Sequence, residues 1–150
     1  MLLSPGDLFC PPTATATYVE KSLQHVSTAS AQEQADVYIN AGYIFVAQKQ
    51  YQEAIPYFKK GLELAAPESK QELSLYAGLA LCYKQLKDYP QALSYFNQGL
   101  AHAPADAKAE QINIYLDAGY IYVEQKQYQQ AISYFKKGLE LSAPDSEQNA

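Results

Sequence analysis

Apolar residues recur every three or four positions along most of the chain, which is the spacing of one face of an α-helix. The first clear stretch contains Val37, Tyr38, Ala41, Ile44 and Phe45. A polar break with the sequence AQKQ follows, and a second helical pattern then runs from Tyr51 to Pro67, where proline prevents easy continuation. This pattern predicts two helices joined by a short turn.

The same helix pair is predicted three times, because the chain contains an internal repeat. The segment from Tyr38 to Pro67 returns as Tyr115 to Pro144 with 23 of 30 positions identical, and a more diverged copy runs from Tyr76 to Pro104. A unit of this length does not bury its apolar face alone, whereas stacked copies bury a continuous core. We therefore expect an all-α protein built from three antiparallel helix pairs.

Capping residues give the expected limits of each pair. Capping boxes of the form S-x-x-E stand at residues 30–33 and 69–72, and Asp106 is the expected N-cap of the third pair. The three units are accordingly assigned to residues 31–68, 69–105 and 106–144.

The two ends of the chain resemble parts of further units. Residues 1–14 are expected to form an irregular leader, and residues 15–30 an N-terminal helix that is a degenerate half repeat. Residues 145–150 align with the start of the second unit and are expected to begin a helix that is missing. The alignment indicates either a segment of a longer array or ends adapted to dock another chain.

Composition narrows the classes of function. The 150 residues suffice for one domain, and 48% are hydrophobic, which is ample for a core. A net charge of −5 without a cluster of Lys and Arg argues against nucleic acid or an anionic membrane as partner. No apolar stretch approaches the roughly 18 residues of a membrane span, and the start is not a convincing signal peptide. The location is left unknown, with a soluble cytoplasmic protein as the default.

Residues that could carry chemistry are few and scattered. Cys82 is expected to be buried and Cys10 incidental, and neither has the spacing of a metal site. A disulfide between them is an alternative that the sequence leaves open without supporting it. His25 and His102 are far apart and have no metal-ligand partner at helical spacing. No paired carboxylates or phosphate-binding glycine loop accompany them. We expect neither catalysis nor a cofactor.

Residues that recur in register resemble the tetratricopeptide repeat. Each unit has a small residue in its first helix, a tyrosine before its second helix, the pattern A-x-x-x-F-x-x-G, and a closing proline. These residues are Gly42, Tyr51, Ala54, Phe58, Gly61 and Pro67, then Ala80, Tyr89, Ala92, Phe96, Gly99 and Pro104, then Gly119, Tyr128, Ala131, Phe135, Gly138 and Pro144. The units are 38 and 39 residues apart, against the usual spacing of about 34. We therefore expect longer first helices and a different superhelix pitch.

The resemblance implies a right-handed α-solenoid in which the first helices line a concave groove that holds a protein or peptide. Transferring the family geometry places these residues in the groove: Asp36, Ile39, Asn40, Tyr43, Val46, Ser74, Ala77, Gly78, Leu81, Lys84, Asn113, Leu116, Asp117, Tyr120 and Glu124. A subclass of the family grips a C-terminal carboxylate with basic and amide side chains. Because Ile39, Gly78 and Asp117 stand at such places, we do not expect that mode of binding.

An aromatic, faintly acidic groove favours an apolar or basic segment as partner, with Tyr43 and Tyr120 as the main contacts. Alternatively, these tyrosines recur only because the units were recently copied. A rival hypothesis is a structural role in which the protein forms a homodimer or larger homo-oligomer through its uncapped end, using Ile132, Phe135 and Leu139. A third is an accessory domain of an enzyme.

Overall fold

The computed structural model describes residues 12–26 and 28–144, with side chains from residue 16 onwards. Within these residues it contains only α-helices and no strand. The helices are α1 (Pro12–His25), α2 (Ala31–Ala47), α3 (Tyr51–Leu64), α4 (Lys70–Gln85), α5 (Tyr89–Ala101), α6 (Lys108–Glu124) and α7 (Tyr128–Ser142). Helices α2 to α7 form three sequential pairs, and α1 packs against α2.

The prediction of an all-α helical repeat is confirmed. Residues 1–11 of the expected leader and the expected start of a further helix at 145–150 lie outside the described residues. Residues 12–14 were assigned to the irregular leader but form the first turn of α1, so the N-terminal helix begins three residues earlier than predicted and ends at His25 instead of residue 30.

The first predicted capping box is confirmed, and the second is only half formed. At α2 the Ser30 hydroxyl accepts from the Glu33 backbone N–H at 3.3 Å, and the Glu33 carboxylate accepts from the Ser30 N–H at 2.9 Å. The hydrogen bond from the Ser30 backbone lowers the pKa of Glu33. At α4, Ser69 accepts from the Glu72 N–H at 3.1 Å, but the Glu72 carboxylate accepts from the N–H of Glu68 instead, at 2.6 Å.

The predicted N-cap of the third pair is wrong. Helix α6 begins at Lys108 with Ala107 as its N-cap, and no side chain caps it. Asp106 instead lies on the surface, where its carboxylate is 3.5 Å from the ammonium of Lys70. A charge from the preceding unit thus engages the carboxylate that was expected to cap this helix.

Each hairpin turn contains a lysine in the left-handed backbone region. The φ angles of Lys49, Lys87 and Lys126 are 59°, 65° and 60°. In each turn the next residue donates its N–H five residues back along the chain, for example from Gln50 to the Phe45 carbonyl at 2.9 Å. This bond is typical of the Schellman motif, whose left-handed position is usually glycine. The three turns therefore reverse the chain in the same way.

The core lies between the helix pairs and is divided into two clusters. One is built around Phe58 and contains Leu75, Leu79 and Cys82 of α4; the other is built around Phe96. Cys82 is a free thiol in the first cluster, and burial raises its pKa to about 12. The expectation that Cys82 is buried is confirmed, while Cys10 lies outside the described residues.

Aromatic rings, most of them tyrosines, pack between the two helices of each unit. They form ring pairs across each hairpin, with centroids about 5 to 6 Å apart, a usual separation for aromatic contacts. The pairs are Phe45–Tyr57, Tyr76–Tyr95, Tyr83–Tyr95, Tyr115–Tyr134 and Tyr122–Tyr134. These rings fix how the two helices of each unit lie against one another.

Candidate functional site

The first helices of the three pairs are neighbours, since α4 contacts both α2 and α6. The residues proposed for the groove differ in exposure. Those that are exposed are Asp36, Asn40, Tyr43, Asn113, Tyr120 and Glu124, and those that are half-buried are Ile39, Leu81, Lys84 and Asp117. Gly78 is instead buried against the Phe58 ring, between α3 and α4. On α4, the middle of the three first helices, fewer residues are therefore accessible in the proposed groove than the family geometry predicts.

Tyr43 contributes to the core as well as to the surface. Its ring meets the Phe58 ring edge-on with centroids 5.1 Å apart, and its hydroxyl donates to the Ser74 carbonyl at 3.3 Å. Burial raises the pKa of the Tyr43 phenol. The ring thus covers the first core cluster while one edge stays accessible.

Tyr120, the equivalent residue of the third pair, is more accessible. Its side chain is 56% exposed, and its ring meets Phe135 edge-on at 5.5 Å. A large aromatic surface with a hydroxyl group is suited to contact a partner. Of the two tyrosines, Tyr120 therefore offers more surface for binding.

Polar contacts join neighbouring first helices. The Lys84 ammonium on α4 is 2.7 Å from a carboxylate oxygen of Asp117 on α6. Gln71 on α4 donates to the Asp36 carboxylate on α2 at 2.6 Å. Because Lys84 balances the charge of Asp117, this part of the groove is less acidic than the sequence indicates.

A second candidate surface is the outer face of α7, which we call the C-terminal face and define by Ile132, Phe135 and Leu139. Ile132 is 46% exposed and Leu139 is 69% exposed, while Phe135 is half-buried. A cleft of about 410 Å³ adjoins this face and reaches Tyr120. It is lined by Ile112, Leu116, Tyr120, Phe135, Gly138, Leu139 and Ser142. The structure thus brings together the three apolar residues proposed for self-association.

A third surface was not predicted from the sequence. A mainly apolar cleft of about 440 Å³ lies between α1 and α2. We call its α2 side the N-terminal face, which comprises Val37, Asn40, Ala41 and Ile44; Tyr18, Val19 and Ser22 line the side formed by α1. Asn40 was assigned to the groove and lines this cleft. A detectable signal was present in the sequence, because the alignment of α1 with α3 puts Val19 where α3 has Phe58.

No arrangement for metal or cofactor chemistry is found in the part of the chain that the structure describes. No group of three His, Cys, Asp or Glu side chains there could hold a metal ion. The described helices include none long and apolar enough to cross a membrane.

Comparison with known proteins gives the family. The tetratricopeptide repeat family model matches residues 33–105 and again residues 71–143. The chain belongs to the tetratricopeptide repeat family, whose members generally are protein–protein interaction scaffolds and usually are not catalysts.

A solved structure shows the same fold. The crystal structure of BtubC (BKLC) from P. vanneervenii is similar with a TM-score of 0.73 at 17% identity, over 90% of this chain and 57% of that one. This chain therefore spans a little over half the length of that protein. The crystal structure of MamA covers all of both chains at 16% identity with a TM-score of only 0.46. No curated protein matches the sequence.

Proposed function

We propose that the protein is a non-catalytic scaffold that binds an apolar or basic segment of another protein in the groove formed by α2, α4 and α6. The observation that supports this most directly is the accessible ring of Tyr120 on α6, which is 56% exposed. Exposed aromatic residues of this kind are frequent binding hot spots. The net charge of −5 favours basic residues flanking such a segment.

A random-peptide phage library, selected on the purified protein, tests the proposal. We expect the selected peptides to be enriched in apolar residues with flanking Lys or Arg. Tyr120→Ala should weaken their binding about tenfold or more in fluorescence anisotropy, since it removes a central aromatic contact.

Tyr128→Ala is the matched control. Tyr128 is 58% exposed, close to the 56% of Tyr120, but it lies in the first turn of α7 and outside the groove. Its replacement should leave peptide affinity unchanged. Equal losses for the two variants, or no selected peptide that responds to Tyr120→Ala, would contradict binding in the groove.

Self-association is a second candidate function, supported by a different observation. The C-terminal face exposes three apolar side chains in a row on one helix, and Leu139 is the most exposed large apolar residue in the described part of the chain. An exposed apolar row of this kind is typical of an interaction surface. A purified protein that stays monomeric in light scattering at several hundred micromolar would contradict this role.

A further inference from the structure

The outer face of α7 repeats a surface that is already an interface inside the molecule. Helix α3 and the first 14 residues of α7 are identical at 12 of 14 positions. Ile132, Phe135 and Leu139 of the C-terminal face correspond to Ile55, Phe58 and Leu62 of α3. The way in which α3 is covered therefore shows what fits on α7.

In α3 this surface is covered by the first helix of the next pair. The Phe58 ring is fully buried between Gly42 of its own pair and Gly78 of α4. The Phe135 ring lies against Gly119 of its own pair in the same way, but it remains half-buried. Among the described residues, the surface on α7 thus has one of the two neighbours that the surface on α3 has.

The N-terminal face repeats the other half of such an interface. Val37, Asn40, Ala41 and Ile44 of α2 correspond to Ile114, Asp117, Ala118 and Ile121 of α6. Ile114, Ala118 and Ile121 belong to the core cluster around Phe96 of α5, and Ile121 is fully buried, whereas Ile44 is 46% exposed. Asp117 stands at the position of Asn40 and is nearly the same size, so the α5–α6 pair already carries a side chain of this size at that position.

Helix α1 covers the N-terminal face incompletely. It occupies the place of a second helix of a preceding unit, with Val19 where α3, α5 and α7 have phenylalanine. Val19 is buried, yet a cleft of about 440 Å³ remains between the two helices. A helix with phenylalanine at this position would fill that space better.

We propose that two copies of this chain associate head to tail, with α7 of one copy taking the place of α1 on α2 of the other. Phe135 then enters the space that Val19 leaves unfilled, Ile132 covers Ile44, and Leu139 lies beside Val37 at the other end of the face. This arrangement rests on the self-association function proposed above and is independent of peptide binding in the groove. It explains both exposed faces with one interface, of the kind already present between α5 and α6.

The proposed contact joins two different faces, so it does not close on itself in a dimer. In a head-to-tail pair, one copy still has a free N-terminal face and the other copy still has a free C-terminal face. Such heterologous contacts generate rings or open chains. The average mass of the assembly should therefore rise with concentration beyond that of a dimer.

Two single variants in the full chain test the orientation. Ile44→Asp blocks the N-terminal face and Leu139→Asp blocks the C-terminal face; both side chains are exposed, so the fold tolerates the change. Each variant alone should be monomeric in sedimentation velocity at concentrations where the natural chain associates. An equimolar mixture should form a one-to-one dimer and nothing larger, because each partner retains one intact face.

Leu86→Asp is the control. Leu86 is exposed at a hairpin turn, so this variant has the same charge change away from both faces and should associate like the natural chain. A mixture that stays monomeric, or a variant that still dimerises alone, would overturn the head-to-tail arrangement. Ile44→Asp should bind the peptides selected on the groove as strongly as the natural chain does. Peptide binding and association of copies are therefore tested separately.

Val19→Phe tests the exchange of α1. It gives α1 the residue that the other second helices have, so the cleft is filled within the monomer. The variant should melt at a higher temperature and associate about tenfold more weakly, because α7 no longer offers a better-fitting side chain than α1 does. Two results would overturn the exchange of α1 for α7. One is a variant that melts at a higher temperature but associates as strongly as the natural chain. The other is a variant that does not melt at a higher temperature, because the cleft then has no room for phenylalanine.

Discussion

At the scale of single residues, glycine and phenylalanine form the contact that is repeated between the helices. A Cβ atom added at Gly42 would lie 2.5 Å from the Phe58 ring, and one added at Gly119 would lie 2.5 Å from the Phe135 ring. The two contacts are the same, but the rings differ in freedom. Phe58 is also confined by Gly78, whereas Phe135 is half-buried and has room to move.

We therefore expect the same substitution to have different effects at the two glycines. Gly42→Ala should lower the free energy of unfolding by about 2 kcal/mol, because the confined ring has no place to go. Gly119→Ala should be within about 0.5 kcal/mol of neutral, since Phe135 shifts and alanine gains up to about 1 kcal/mol of helix propensity. Urea unfolding of the two monomeric variants measures both values. Equal losses would mean that Phe135 is as confined as Phe58.

At the scale of helices and turns, sequence reasoning predicts the helices better than their ends. The repeated spacing of apolar residues predicts each pair, because burial on one face of a helix determines that spacing. The capping box at Ser69 fails in part because Glu68 has a φ of 58° and presents its N–H to the Glu72 carboxylate. Asp106 fails as a cap because α6 begins one residue later than predicted, with Ala107 at the N-cap, and the Asp106 carboxylate lies near Lys70 of another unit. Neither competing contact is evident from local sequence.

The left-handed lysines were likewise not evident, because glycine or asparagine is the usual signal for that backbone conformation. A side chain in this region costs roughly 1 kcal/mol, which glycine does not incur. Lys126→Gly should therefore raise the free energy of unfolding by up to about 1 kcal/mol. Lys136→Gly, at an exposed position inside α7, should lower it by about the same amount. Destabilisation by both changes in urea melts would show that the turn does not depend on φ at this position.

At the scale of the whole molecule, the groove and the end faces differ in how far the sequence predicts them. The residues proposed for the groove follow from the register of the family, and most of them are exposed or half-buried. The burial of Gly78 under Phe58 and the pairing of Lys84 with Asp117 depend on the distance between neighbouring helices. The cleft beside Val19 also depends on contacts between units. The sequence pattern of a single unit does not predict the distances between helices of neighbouring units.

Stability in a stack of repeats comes from neighbouring units, so the middle of the molecule should be the most protected. Helices α4 and α5 have neighbours on both sides, while α1 and α7 lie at the two ends of the described stack. We expect backbone amides of α4 and α5 to exchange with deuterium most slowly, because their exposure requires unfolding of most of the molecule.

The concentration dependence of that exchange distinguishes the ways in which two copies can meet. If α7 of one copy replaces α1 of another, amides of α7 should exchange more slowly as concentration rises while amides of α1 exchange faster. Pairing of two C-terminal faces would protect α7 and leave α1 unchanged, which would contradict the exchange. In Ile44→Asp neither helix should respond to concentration, because α7 then has no face to occupy. Opposite changes in two helices at opposite ends of the chain are the expected signature of an interface that one helix vacates and another fills.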